Sequence, residues 1–228
     1  NPAGFATRKD LSIGISYGNR FLLKELSNKE AGILLPINIG TIGISFSQFG
    51  YEHYNENLLG LGLSRSFGQN LRIGLKLYYM SIRFSEEYEN RSVPTFDLGI
   101  QYQINKSLCL GAYIFNPINV RIGSLNKDKV PIIMRIGFAY HIVDEFMICG
   151  EIEENFDDDF SFRFGLEYEA YKNVFVRSGF QLMPCIFTFG IGYDYKRFVV
   201  DVAAQMNQDL GVSMSCSMVF KMNGINRM

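Results

Sequence analysis

The sequence predicts an all-β protein, a transmembrane up-and-down antiparallel β-barrel of about fourteen strands. Three observations carry that reading. Apolar residues alternate with small or polar ones in stretches such as Leu61-Gly62-Leu63-Ser64 and Phe162-Arg163-Phe164-Gly165-Leu166-Glu167. This period of two is the mark of a strand with one apolar face, and it recurs from Leu11 to Phe220. The stretches are also close to the roughly 9–11 residues a tilted strand needs to cross a bilayer. Finally, the connections alternate between tight turns and longer loops, as they do when short turns gather at one end of a barrel.

In chain order, strands are expected near 10–19, 29–37, 40–50, 57–67, 71–84, 94–104, 107–115, 130–142, 145–155, 159–170, 173–182, 185–195, 198–207 and 210–222. The tight turns fall at Asn38-Ile39-Gly40, Gly68-Gln69-Asn70, Asn105-Lys106, Val143-Asp144, Tyr171-Lys172 and Lys196-Arg197. The intervening connections are longer at 20–28, 51–56, 85–93 and 116–129, and compact at 156–158, 183–184 and 208–209. An even number of strands with short periplasmic turns puts both termini in the periplasm. The whole chain, 1–228, reads as one domain, with 1–9 as a periplasmic N-terminal segment.

Which face meets lipid follows from composition. One face carries Ile42, Ile44 and Phe46, then Leu71, Ile73, Leu75 and Leu77, then Phe160, Phe162, Phe164 and Leu166, then Val212, Met214 and Met218. The other is built on Gly14, Gly43, Gly60, Gly62, Gly74, Gly99, Gly111, Gly137, Gly165, Gly179, Gly190 and Gly192, mixed with Ser, Arg, Glu and Gln. Water-facing sheet favours Thr, Lys and Glu, whereas glycine suits a curved wall around a crowded lumen. A barrel of this strand number is also too wide for inward Leu and Phe to fill, since about eight strands is already the size that side chains just pack. The apolar face therefore looks into lipid, with Tyr102, Tyr140, Phe146, Tyr168, Tyr195 and Phe198 as an interfacial girdle near the short turns.

Composition excludes several function classes. The formal net charge is −1, which leaves no basic field for nucleic acid, and no run of roughly 18 apolar residues exists to form a membrane helix. The chain opens at Asn1-Pro2 without a charged-then-apolar leader, so an export signal is expected to have been removed or to lie outside this sequence. Cys109, Cys149, Cys185 and Cys216 lack the close pair spacing of zinc or redox motifs and read as small packing residues. His53 and His141 stand without an evident Ser or Asp partner and read as rim residues, so neither catalysis nor a cofactor is expected.

Registering the hairpins across their turns brings lumen charges together. Closing the turn at Tyr171-Lys172-Asn173 sets Glu167 opposite Arg177. The hairpin at Asp157-Asp158-Asp159 sets Glu151 opposite Arg163, and the turn at Val143-Asp144 sets Arg135 beside Glu151 or Glu153. Such a sign-alternating ladder fills and satisfies a narrow lumen, with an ion or solute pathway as its second reading. The three aspartates read as a solvated turn, because consecutive acids lack the alternate-ligand spacing of a calcium loop.

The opening residues Asn1-Pro2-Ala3-Gly4-Phe5-Ala6 resemble the NPAG(L/F)A signature ahead of the first strand in the FadL-like superfamily of outer-membrane barrels. The likeness continues through Gly43-Ile44-Ser45-Phe46, Leu61-Gly62-Leu63-Ser64-Arg65, Leu71-Arg72-Ile73-Gly74, Phe96-Asp97-Leu98-Gly99-Ile100 and Leu110-Gly111-Ala112-Tyr113-Ile114-Phe115-Asn116-Pro117. The pattern is most similar to the PorV/PorQ-type branch of Bacteroidota. That resemblance implies fourteen strands, a place in the bacterial outer membrane among its lipids, and a non-enzymatic role as an accessory or docking subunit. Its partners would be other outer-membrane or secreted proteins in a type IX secretion-like complex. The superfamily's other implication is a channel for hydrophobic or other small molecules. In FadL-type channels an N-terminal hatch precedes this signature and large outer loops form a hydrophobic entry site, whereas this sequence begins at the signature and its loops are small.

Overall fold

The computed structural model describes residues 1–84, 90–123, 128–156 and 160–222. Among them, fourteen long strands close into a single antiparallel barrel. The wall runs β1 (Leu11–Asn19), β2 (Ser27–Ile37), β3 (Gly40–Gly50), β4 (Tyr54–Phe67), β5 (Leu71–Phe84), β6 (Arg91–Gln103) and β7 (Leu108–Phe115). A two-stranded hairpin of β8 (Arg121–Ile122) and β9 (Asp128–Lys129) interrupts it. The wall resumes with β10 (Ile133–Val143), β11 (Phe146–Asn155), β12 (Ser161–Tyr171), β13 (Val174–Leu182), β14 (Ile186–Tyr195), β15 (Phe198–Asn207) and β16 (Gly211–Met222). Strand β16 pairs back onto β1, with Leu11 opposite Met222 and Asn19 opposite Met214, so no edge is left to aggregate.

The pleat sorts the side chains as the alternation requires. Ile44, Phe46, Leu75, Leu77, Phe164, Leu166 and Met214 are all exposed on the outside of the barrel. In water that would be an untenable apolar surface; in a bilayer it is the solvated one. The girdle residues Tyr102, Tyr140, Tyr168, Tyr195 and Phe198 are exposed near the short turns. Among the described residues the buried hydrophobic side chains are those of Ala3, Ile122, Val130 and Ile186, which leave little conventional core. Stability therefore rests on the hydrogen-bonded wall and on lipid contact.

Two segments differ from the sequence expectation. Residues 1–9 do not trail outside the barrel: Pro2–Thr7 forms a short 3₁₀ helix packed against β3, β4, β5 and β6. Its Asn1 caps it, the side-chain oxygen accepting from the Ala3 N–H at 3.0 Å. The connection after β7 also folds inward. Asn116, fully buried, accepts from Thr95 Oγ1 at 2.9 Å and from the Val120 N–H at 3.0 Å, and donates to the Val130 carbonyl at 2.7 Å. These bonds seat the β8–β9 hairpin against β6 and bury Ile122 and Val130. Asp157, Asp158 and Asp159 lie outside the described residues, as does most of the 85–93 loop.

Candidate functional site

The lumen is shared between a plug and a ladder. The plug sits on glycines contributed by separate strands, because only bare backbone lets a helical turn come this close to the wall. At Gly74 a Cβ would strike the Pro2 carbonyl, and at Gly99 it would strike the Asn1 side chain. At Gly43 it would lie 2.6 Å from the Phe5 ring. Polar contacts lock the segment in this seat. The Asn1 side-chain nitrogen donates to the carbonyls of Ile100 at 3.2 Å and Ala112 at 2.9 Å, and buried Ser64 donates to the Ala3 carbonyl at 3.0 Å. Asn1, Pro2, Ala3 and Gly4 thus all belong to the interior of the barrel.

Beside the plug, β5, β6 and β7 contribute a polar cluster that sequence reading missed. Tyr78 and Tyr113 both donate to Asp97 Oδ2, at 2.9 and 3.1 Å. The other oxygen, Oδ1, is buried without a hydrogen-bond partner among the described residues. Lys76, opposite Asp97 in register, lays its ammonium 4.6 Å from the Tyr78 ring centroid. The available signal was parity: Lys76, Tyr78, Asp97 and Tyr113 all share the glycine-rich face.

On the far side, β10 to β15 carry the ladder. Register sets Arg135 opposite Glu153, Glu151 opposite Arg163, and Glu167 opposite Arg177. Arg163 donates to Glu151 at 2.8 Å, to Glu153 at 2.7 and 2.9 Å, and to Gln181 at 3.0 Å. Arg135 pairs through Nε with Glu153 and stands 3.8 Å from Glu151. Arg177 holds Glu167 at 2.5 Å and, on its other side, Asp201 of β15. All six residues singled out in the sequence stand together here, in two ion-pair groups. Asp201 was missed, because hairpin register pairs neighbours and Asp201 lies two strands from Arg177.

Among the described residues, two cavities bear on the site. One, about 650 Å³, is lined by the ladder residues Arg135, Glu151, Arg163, Glu167, Arg177 and Asp201, with Asn1 at its edge. The other, about 510 Å³, lies toward β1–β5, where Phe5, Leu34, Leu58 and Val219 mix with serines and Glu30. The four cysteines are free thiols, and Tyr51 meets His53 edge-on at 5.6 Å in the loop after β3. Among the described residues no group of three or more His, Cys, Asp or Glu is placed to hold a metal.

No protein-family model and no curated protein sequence matches the chain. Solved structures do. The toluene transporter TodX of Pseudomonas putida superposes with a TM-score of 0.71 at 11% identity, covering 100% of this chain and 93% of that one. A FadL homologue from Pseudomonas aeruginosa gives 0.66 at 11%, covering 97% and 91%. The KdgM porin gives 0.54 at 10%, covering 93% and 99%. With its apolar belt around a closed wall of fourteen strands, the chain has the fold of FadL-family barrels and is a β-barrel of the bacterial outer membrane.

Proposed function

We propose that this barrel is a channel through which small molecules enter across the outer membrane. The single observation that carries the reading is that the lumen, although occupied by plug and ladder, keeps a cavity of about 650 Å³ whose charged and glycine-rich lining comes from eight strands, β6, β7 and β10 to β15. A purely structural filling would close that space, whereas ligand sites commonly enclose about 300–1,000 Å³. The similarity to a toluene transporter, a FadL homologue and a porin supports the same reading at the level of fold. Reconstitution of the purified chain in liposomes tests it. Solute entry above that of protein-free liposomes is the expected result; equal entry across neutral, charged and apolar solutes contradicts it.

A second reading, a docking subunit like the PorV/PorQ-type proteins serving a type IX-like secretion complex, has one observation in its favour. The connections at 183–185 and 208–210 are tight turns, while the described residues of the connection after β7 are folded against β6 through Asn116 and the β8–β9 hairpin. The rim is therefore low over one sector and built up over another, which suits a protein leaning on one side. Extraction in mild detergent followed by mass spectrometry separates the readings, since a docking subunit migrates with large partners and a channel migrates alone.

A further inference from the structure

The ladder is not continuous. Arg163 and Glu167 lie on one face of β12, four residues apart, which is about 13 Å at the usual strand rise. The row between them holds Cys149, Gly165, Gly179 and Thr188, in register across β11 to β14. Those residues carry no charge and little bulk, and the nearest atoms a Cβ at Gly165 or Gly179 would meet are the leaning side chains of Cys149 and Thr188, at 2.7 and 2.5 Å. The wall thus presents two ion groups separated by a small-residue gap, and the gap with Arg135, Glu151, Arg163, Glu167, Arg177 and Asp201 lines the 650 Å³ cavity.

The two groups differ in what they leave available. In the first, two guanidinium groups face Glu151 and Glu153, and Arg135 uses only Nε toward a carboxylate. Its guanidinium lies over the Tyr113 ring, 5.6 Å from the centroid, and its side chain, which lines the cavity, is 36% exposed. In the second, one guanidinium serves two carboxylates, Glu167 and Asp201, whose side chains are 28% and 29% exposed. The first group offers an anion the terminal nitrogens of Arg135, beside the Tyr113 ring, and the second an excess of negative charge for a cation. Fork geometry suits a carboxylate in particular.

We propose that the gap is a binding site for small zwitterions carrying a carboxylate and an ammonium group at opposite ends. The carboxylate turns to Arg135 and Arg163, and the ammonium to Glu167 and Asp201. The assignment rests on the channel reading for its role in transport, and names the class of solute that this lumen prefers. An apolar solute gains nothing from such a wall, because it would have to cover ion pairs that water now reaches.

Triglycine is the probe, since three extended residues span about 10 Å between its charges. It is compared with N-acetyl-triglycine and triglycine amide, each lacking one charge, and with glycerol and toluene. Two measurements are made on the intact barrel: entry into liposomes, and binding in detergent by titration calorimetry. Triglycine is expected to bind about tenfold more tightly than either blocked form, and to enter faster. The variant Glu167→Gln/Arg177→Gln/Asp201→Asn, which removes the second group without stranding a charge, is expected to abolish that preference. Equal binding of all three peptides overturns the proposal, with or without a folded variant. Entry of glycerol or toluene with no peptide preference leaves the channel reading standing and removes only the zwitterion site. Peptide preference in calorimetry without entry of any solute keeps the site and removes the channel.

Discussion

Arg177 on β13 reaches across β14 to pair with Asp201 on β15, and it can do so because position 192 between them is glycine. A Cβ there would lie 2.5 Å from Asp201 Oδ1 and 2.6 Å from Arg177 Nη1. The glycine is a gap in the wall through which two non-adjacent strands are tied.

Gly192→Val should therefore break this tie without touching either charged residue. The expected loss is about 1–2 kcal/mol, because both groups keep access to water in the lumen. Glu167→Ala should cost less, roughly 0.2–1 kcal/mol, since Arg177 retains Asp201. Unfolding in denaturant from lipid vesicles measures both, and a Gly192→Val barrel as stable as the parent would refute the role given to the glycine.

The plug gives a sharper functional prediction. Asn1→Ala deletes the cap on Ala3 and both bonds to the wall, at Ile100 and Ala112, together worth about 1–3 kcal/mol of plug seating. Loosening should raise ion conductance in planar bilayers while the barrel stays folded on heat-modifiability gels. Unchanged conductance would mean that the route bypasses the plug.

Much of this molecule is readable from its sequence, for a physical reason: lipid outside and a crowded lumen inside impose opposite chemistry on alternate residues. Strand β5 runs over 71–84 and β15 over 198–207, as the alternation predicts. Strand starts are less legible. Strand β4 begins at Tyr54 and not near 57, because Asn55, Glu56 and Asn57 are polar on both faces and hide the period. The Glu151–Arg163 and Glu167–Arg177 pairs follow from turn register alone. The plug does not, since a six-residue helical turn has no period to detect, and its seat is assembled from glycines that equally signal wall curvature.

Asn116 is the anchor of the inward-folded segment, so Asn116→Ala should free it. Three hydrogen bonds of a fully buried side chain are lost, and the orphaned Val130 carbonyl and Val120 N–H need new partners. Limited proteolysis should cut within 117–131 at least about tenfold faster, an increase corresponding to roughly 1.4 kcal/mol of local stability. Cleavage at the parent rate would contradict the anchoring role.

The facing of the wall is tested by charge. Leu166, exposed in the middle of β12, should tolerate Met, while Leu166→Arg should lower stability in vesicles by about 2–4 kcal/mol. Arginine at lumen-facing Thr188 should cost far less. A reversed order would turn the barrel inside out.

The central claim is that this barrel conducts. Entry of glycerol, triglycine and toluene into liposomes carrying the parent or the Asn1→Ala chain tests it most directly. The account predicts entry above the protein-free baseline for the parent and faster entry for the loosened plug. No entry of any of the three through either chain would contradict it.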